Sequence, residues 1–314
     1  MRNWGTDNSD TPLVSVRCST YNHEPYIAQA LDGFLMQKTN FPFEVIVHDD
    51  ASTDKTADII RDYEAKFPKI IKPIYETENQ YSKHDGSIAR VMNAATKGKY
   101  IAFCEGDDYW IDENKLQMQT DFLERNPEYT MCFHSAIQHY EDGSRPDALF
   151  SNILDRAYQA KEILKRWIVP TASVVCRREC LETDFYNNLR KDTRLIYGDI
   201  TMFLTLCHEG RIYGMNNVMS VYRRHEGGAV WGISHERNYK HHFHFLALKQ
   251  YFPELKWTLN ILMIKADAAW CAMALLGRQM NIARDFFKLN VLSNSILVPL
   301  YYIRLYKHKK EYAR

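Results

Sequence analysis

Two hydrophobic periodicities alternate along the first third of the chain, and this alternation constrains the fold more than any other feature. Short apolar runs with β-branched residues, typical of buried strands, lie at residues 13–19, 43–49, 70–75 and 99–105. Helical spacing of apolar side chains occupies residues 24–38, 53–67 and 87–97. Strands that alternate with helices in this way build a parallel sheet covered by helices on both faces.

The rest of the chain continues this pattern and then becomes helical. Strand-like runs follow at residues 129–140, 172–176 and 218–222. Helical patterns occupy residues 114–125, 160–167, 199–207 and most of the chain from 235 onward. The predicted fold class is α/β, with a Rossmann-like, mostly parallel sheet flanked by helices and a helical C-terminal extension. We expect a larger domain at residues 1–230 and a helical region at 231–314.

Composition narrows the class of function. The 314 residues carry a formal net charge of +1, so no global basic field points to nucleic acid. The seven cysteines are scattered and form no CxxC pair of the kind found in zinc sites and redox motifs. The N-terminal sequence MRNWGTDNSDTP contains no apolar signal segment. We therefore expect a cytoplasmic protein in a reducing compartment that does not bind nucleic acid.

Two adjacent carboxylates, Asp107 and Asp108, follow the fourth predicted strand directly. Parallel α/β sheets bind their ligands beyond the carboxyl ends of the strands, so a ligand is expected here. Neighbouring carboxylates repel each other and need a compensating partner. A divalent cation that also binds diphosphate oxygens is a suitable one. The alternative is an N-terminal cap of the next helix, through Asp108 or Asp112.

Polar side chains also end the first two predicted strands. Asp50 follows the second strand, where a carboxylate can accept the imide N–H of a uracil. Ser19, Thr20 and Tyr21 end the first strand, and the tyrosine ring can stack on a base. The sequence has neither the glycine-rich fingerprint of dinucleotide-binding domains nor that of P-loop NTPases. These strand ends predict a nucleotide site of another kind.

The order of these motifs resembles one known family. The segment VSVRCSTYNHEPYIAQALDGFLMQ is followed by FEVIVHDDASTDKTADII, GKYIAFCEGDDYW and KLQMQTDFLERNP. This series is similar to the inverting glycosyltransferases of family 2, which have the GT-A fold. The resemblance is continuous over residues 12–135 and weaker to about residue 230. It implies metal-dependent transfer of a sugar from a nucleotide-sugar, with a UDP-sugar as the expected donor, to an acceptor hydroxyl.

The resemblance implies roles for residues of the donor site. The residues that match the family's nucleotide contacts and its uracil-reading carboxylate are Ser19, Thr20, Tyr21 and Asp50. Arg90 resembles the basic residue near the donor phosphates. The DxD-type signature has its two carboxylates side by side in this chain. By the resemblance, Asp107 is expected near the ribose and Asp108 at the cation, which is Mn²⁺ or Mg²⁺.

The second half of the chain supplies two more matches to the family. Asp199 stands at a predicted helix start where the family carries its catalytic carboxylate, so it is the expected general base for the acceptor hydroxyl. His225 follows a strand where a family histidine can complete the metal site, and Arg223 or Arg224 could bind phosphate oxygens. The alternatives are a helix cap for Asp199 and a basic surface turn around His225.

The expected acceptor is a carbohydrate or a lipid-linked glycan in bacterial polysaccharide or surface-glycan synthesis, as the resemblance implies. Near the C-terminus, residues 291–303 are apolar apart from Ser293, Asn294 and Ser295. They are too few to span a membrane and precede a basic tail. They either make a peripheral contact with the inner face of the cytoplasmic membrane or pack as a core helix. The alternative functions are a sugar nucleotidyltransferase and a non-catalytic nucleotide-sugar-binding module.

Overall fold

The computed structural model describes residues 11–83, 86–226, 228 and 235–276. These residues form two compact units. The first lies within Met1–Lys191 and Met202–Ala229, and the second within Asp192–Thr201 and Val230–Arg314. The apolar C-terminal segment and its basic tail, for which the sequence offers a membrane or a core role, lie outside the described residues.

A mixed sheet forms the centre of the first unit. Its strands, among the described residues, are β1 (Val14–Thr20), β2 (Phe43–Asp49), β3 (Ile71–Tyr75), β4 (Tyr100–Phe103), β5 (Tyr109–Trp110), β6 (Tyr129–Tyr140), β7 (Ala148–Leu149), β8 (Arg156–Tyr158), β9 (Val175–Arg177) and β10 (Arg211–Arg224). The order across the sheet is β3-β2-β1-β4-β9-β6-β10-β5, with β7 beside β6 and β8 beside β10. Strands β1 to β4, β6 and β10 share one direction, which confirms the predicted, mostly parallel sheet.

The first four strands lie side by side, and β2, one of the inner two, is buried along its whole length because both faces of the sheet are covered. Val16, Val45 and Ile101 are fully buried. The parallel register places Thr20 at the end of β1 opposite Asp49 at the end of β2. The carboxyl ends of these strands therefore share one edge of the sheet, as the sequence predicts.

The second half of the sheet depends on pairings between segments that are far apart in the chain. Strand β9 runs antiparallel between β4 and β6, and β10 lies parallel to β6. The register of β10 shifts twice between residues 215 and 220. Such bulges interrupt the strict alternation of side chains between the two faces of a sheet. The strand predicted at residues 218–222 covers only the C-terminal part of β10. At the far edge, β10 pairs with β5 and sets Val221 opposite Tyr109.

Helices cover the sheet of the first unit. They are α1 (Ile27–Leu35), α2 (Thr56–Lys66), α3 (Ser87–Ala95), α4 (Lys115–Arg125), α5 (Ala160–Arg166), α6 (Asp184–Lys191) and α7 (Gly198–Glu209), whose first residues are counted with the second unit. Helix α1 packs closely on β5. The approach is so close that a Cβ on Gly33 would lie 2.9 Å from the carbonyl oxygen of Trp110. The ring of Phe34 contacts the Trp110 ring with centroids 4.7 Å apart. These contacts fix the strand that follows the acidic pair.

Two helices, α8 (His235–Tyr251) and α9 (Lys256–Leu276), are the main elements of the second unit among the described residues. Leu248 of α8 and Leu259 of α9 are fully buried. His242 and Asp267 form a buried pair between the helices, with Nδ1 and Oδ2 2.7 Å apart. In the part of the chain that the structure describes, no helix is both long and apolar enough to cross a membrane.

Candidate active site

The loop between β4 and β5 carries the acidic pair and lies against the end of β1. The N–H of Gly106 donates a hydrogen bond to the carbonyl of Ser19 at 2.9 Å. A Cβ on Gly106 would lie 2.8 Å from both the Cβ and the Oγ1 of Thr20, closer than a side chain tolerates. The glycine therefore allows the loop to cross the end of β1, which places Asp107 at the carboxyl edge of the parallel strands.

Asp108 is buried against β10, with 3% of its surface exposed. Its Oδ1 accepts the backbone N–H of Arg223 at 2.8 Å. Burial and the nearby charges of Asp107 and Glu105 raise the pKa of Asp108 well above its usual value, although the interactions with Arg223 oppose the shift. The second carboxylate of the pair thus connects its loop to the strand that leads to His225.

Three side chains from separate segments converge beside this loop: His23, Asp107 and His225. One potential ligand atom from each lies within 4.8 Å of the other two. The Nε2 of His225 is 3.0 Å from Oδ2 of Asp107, and the Nε2 of His23 is 3.9 Å from the same oxygen. The structure therefore brings His225 to the acidic loop together with Asp107. Asp108, the ligand expected from the sequence, is not a member of this group.

The group combines a carboxylate with imidazoles. Burial favours the neutral acid of Asp107, but the hydrogen bond from His225 and the proximity of His23 hold the pKa of Asp107 below its usual value. Burial lowers the pKa of His23, and His225 adds to this effect while Asp107 opposes it. An ionised carboxylate and a neutral imidazole are the forms in which these side chains bind a metal.

Asp50 lies at the carboxyl end of β2 and holds the segment that follows β3. Its Oδ1 accepts the N–H of Gln80 at 2.6 Å, and its Oδ2 accepts the N–H of Tyr81 at 2.9 Å. The N–H of Asp50 donates to the carbonyl of Thr20 at 3.0 Å, so the residue also borders the end of β1. Each carboxylate oxygen has a second lone pair, which leaves capacity to accept a further donor.

The other residues expected at the donor site differ in their surroundings. Ser19 and Thr20 end β1, and the Oγ1 of Thr20 is buried without a hydrogen-bond partner among the described residues. Tyr21 has 43% of its surface exposed. Arg90 is exposed on α3, with its Nη1 3.7 Å from the position that a Cβ on Gly86 would take. The end of β1 thus offers both a buried hydroxyl and an accessible ring.

Asp199, the expected general base, lies in the first turn of α7. It is partly exposed and belongs to the segment Asp192–Thr201 of the second unit. A carboxylate in the first turn of a helix is stabilised in its ionised form by the helix dipole. This position is compatible with a base and equally with the capping role that the sequence leaves open.

Comparison with known proteins identifies the family. The sequence model of glycosyl transferase family 2 matches residues 15–185, which is more than half of the chain. The chain belongs to glycosyl transferase family 2. The uncharacterized protein Rv1520 of Mycobacterium tuberculosis is 40% identical to this family 2 protein over 220 residues. These residues make up 69% of the chain but only 60% of Rv1520, so the chain spans less than two thirds of that relative.

A second relative supports the family, and a solved structure supports the fold. The putative teichuronic acid biosynthesis glycosyltransferase TuaG of Bacillus subtilis is 32% identical over 228 residues, which are 71% of this chain and 81% of TuaG. The crystal structure of S. aureus TarS, residues 1–349 in complex with UDP, matches with a TM-score of 0.52 and 18% identity, and covers 88% of this chain and 90% of that one. The structural match confirms the GT-A fold expected for a family 2 protein.

His23 is a member of the site that the sequence patterns do not reveal. It stands in the segment CSTYNHE just after β1, and no spacing rule links it to Asp107. Its Nδ1 is buried without a hydrogen-bond partner among the described residues. Imidazole nitrogens and a carboxylate oxygen together form a donor set that divalent transition metals accept. The residues of this family 2 protein therefore fit a divalent cation.

Proposed function

We propose that this chain is an inverting glycosyltransferase that moves a sugar from a UDP-sugar to a hydroxyl of a carbohydrate or lipid-linked glycan, with Mn²⁺ or Mg²⁺ as cofactor. The observation that carries the proposal is the convergence of His23, Asp107 and His225 at the carboxyl edge of the parallel strands. Sheets of this kind bind nucleotides at that edge. Because a fold does not by itself determine a function, family membership supplies the class of reaction.

In this proposal Asp107, His225 and His23 hold the cation. When bound, a divalent cation neutralises charge that develops on the diphosphate leaving group. Asp108 has a supporting part, because its Oδ1 accepts the N–H of Arg223 and so ties the acidic loop to the strand that carries His225. The sequence-based expectation of Asp108 as the ligand remains the competing proposal, and the two are separated by experiment below.

The nucleotide is proposed to lie along the ends of β1 and β2. Asp50 would accept the imide N–H of uracil with the lone pairs that Gln80 and Tyr81 leave available. The exposed ring of Tyr21 is suited to stacking on the base. UDP in the TarS structure supports a uridine nucleotide. Ser19, Thr20 and Arg90 complete the proposed donor site, the arginine on the side of the phosphates.

Asp199 is proposed to accept the proton of the acceptor hydroxyl as its oxygen attacks the anomeric carbon. A general base must reach that hydroxyl directly or through one water. The teichuronic acid named for TuaG supports a bacterial surface glycan as the product class. We place the reaction in the cytoplasm, where the seven free cysteines of the chain would stay reduced, with a peripheral membrane contact if the acceptor is lipid-linked.

A donor screen tests this function. The purified chain would be incubated with UDP-, GDP- and dTDP-sugars, with Mn²⁺, Mg²⁺ or EDTA. Release of the nucleoside diphosphate would be measured as the sugar passes to water, which serves as the acceptor in this screen. We expect release from at least one UDP-sugar that EDTA abolishes. Release of pyrophosphate from a sugar 1-phosphate and UTP, without activity on any sugar nucleotide, would instead establish a nucleotidyltransferase.

Substitution of His225 tests the cation site in the same screen. His225→Ala should lower nucleotide release at low Mn²⁺ concentration by about 10-fold or more, because the cation loses a ligand. His208→Ala is the matched variant, since His208 stacks on Phe185 with ring centroids 4.5 Å apart and is not part of the three-residue group. Equal activity of the two variants would contradict the proposed cation site.

A further inference from the structure

Arg223, two residues before His225, makes side-chain contacts with three other segments. Its Nε donates to the backbone carbonyl of Asp107 at 2.7 Å, and its Nη2 donates to Oε1 of Gln29 on α1 at 2.7 Å. Its Nη1 forms a close ion pair with Oε1 of Glu141, the residue after β6. The guanidinium therefore joins the acidic loop, α1 and the end of β6 to the end of β10.

The surroundings of Arg223 favour internal contacts over a ligand. Its side chain is 7% exposed. The guanidinium carbon lies 4.7 Å from the centre of the Tyr26 ring and 4.9 Å from that of the Tyr109 ring. All three of its nitrogens already donate to protein oxygens, and Glu141 balances its charge. Binding of donor phosphate, one role that the sequence offers for Arg223, would have to use the one N–H left on each of Nη1 and Nη2, on a side chain that is only 7% exposed.

These contacts act on the two sides of the candidate cation site together. The side chain of Arg223 holds the carbonyl of Asp107, and its backbone N–H holds the carboxylate of Asp108. Only Arg224 separates it from His225, so the same residue restricts where β10 can place the imidazole. Tyr26, which lies under the guanidinium, also contacts the His225 ring with centroids 4.7 Å apart.

From this geometry we propose that Arg223 is a positioning residue that sets the separation of Asp107 and His225 for cation binding. The inference rests on the proposed function, since it assumes that these two residues are ligands. A planar guanidinium is required because its donors point in fixed directions toward three acceptors. Lysine has a single ammonium nitrogen in place of the three guanidinium nitrogens, and one nitrogen cannot reach all three oxygens.

Mn²⁺ binding measured by electron paramagnetic resonance tests the proposal without reference to activity. Free Mn²⁺ would be titrated with the purified chain and with Arg223→Lys, in the presence and absence of UDP. We expect the variant to bind Mn²⁺ about 10- to 100-fold more weakly, the range seen when residues that orient metal ligands are replaced. The charge is retained in this variant, so the loss would report geometry.

Arg177→Lys is the matched control. Arg177 is the comparable buried arginine of β9, where Nε and Nη2 donate to the carbonyls of Tyr129 and Leu123 and the guanidinium carbon lies 5.6 Å from the Tyr100 ring. We expect Arg177→Lys to lower thermal stability without changing Mn²⁺ affinity. An equal loss of Mn²⁺ affinity in both lysine variants would overturn the proposal, because it would indicate general destabilisation.

A milder variant addresses the case in which Arg223→Lys fails to fold. Glu141→Ala removes one acceptor of Arg223 at a side chain that is 31% exposed, and we expect Mn²⁺ affinity to fall several-fold. Unchanged Mn²⁺ affinity in Glu141→Ala, or in Arg223→Lys where that variant folds, with weak binding in Asp107→Asn, would overturn the positioning role alone. Unchanged affinity in Asp107→Asn as well would overturn the cation site, and with it the proposed function.

Discussion

The Nε2 of His225 lies 3.0 Å from the Oδ2 of Asp107, although 118 positions separate the two residues in the chain. The contact forms because β10 runs beside β5, the short strand that follows the acidic loop. The contact brings together the acidic pair, which the sequence alone also allows to be a helix cap, and the segment at His225, which it also allows to be a surface turn. A surface turn alone does not explain why His225 has only 8% of its side chain exposed beside a carboxylate.

Asp199→Asn tests the proposed base. The amide cannot accept the acceptor proton, so transfer should fall by about 100- to 10,000-fold, the usual contribution of general base catalysis. UDP affinity should stay the same, because the donor does not depend on that proton transfer. Steady-state transfer rates and calorimetric titration with UDP would measure the two effects. Asp142→Asn, at an exposed turn, is the control, and near-normal turnover in Asp199→Asn would contradict the assignment.

Asp50→Asn tests the proposed reading of uracil. A hydrogen bond to a charged group contributes about 1.5–3 kcal/mol, so UDP affinity should fall by about 10-fold or more while GDP affinity changes little. Asp54→Asn is the matched control, because Asp54 also accepts backbone N–H groups, from Glu24 and Thr56. An equal loss for UDP and GDP in Asp50→Asn would indicate that Asp50 serves only to hold the loop at Gln80.

Lys115 gives a prediction for stability against pH. It is fully buried, and burial lowers its pKa from 10.5 to about 7, although the adjacent Trp110 ring at 4.1 Å favours the charged form. Between these two values the unfolded chain binds a proton that the folded chain does not. The free energy of unfolding should therefore rise with pH in this window, by at most about 1.4 kcal/mol per pH unit, and level off below pH 7.

Urea unfolding of the wild type and of Lys115→Met between pH 7 and pH 10 would measure this contribution. The stability of the wild type should increase with pH relative to the variant, because methionine has no proton to bind. Parallel profiles for the two proteins would show that Lys115 remains charged in the folded state. The same comparison removes the contribution of all other titrating groups.

The parallel half of the sheet could be predicted from the sequence because its signals are local. Residues 13–19 and 43–49 are apolar runs flanked by turn residues, and they correspond to β1 and β2 within one residue. Their polar ends at Thr20 and Asp50 therefore fall at one edge without further information. The antiparallel insertion of β9 has no such local signal, because it depends on contacts with strands far away in the chain.

The candidate site was only partly predictable for the same reason. The acidic pair and His225 carry motif signals, but no pattern indicates which carboxylate faces the histidine. In the structure, Gly106 crosses over Thr20 and places Asp107 at the end of β1. The hydrogen bond from the N–H of Arg223 directs the carboxylate of Asp108 toward β10. His23 has no motif of its own and becomes visible only when the end of β1 and the acidic loop are side by side.

The most direct test of the central claim compares Mn²⁺ affinity in Asp107→Asn and Asp108→Asn. Both substitutions keep the size of the side chain. Asp107→Asn removes the negative charge of a carboxyl whose pKa lies below its usual value, whereas Asp108→Asn replaces a carboxyl whose pKa burial raises well above its usual value. We predict that Asp107→Asn weakens Mn²⁺ binding by about 10- to 100-fold, while Asp108→Asn changes it much less. A large loss in Asp108→Asn with near-normal binding in Asp107→Asn would contradict the proposed cation site.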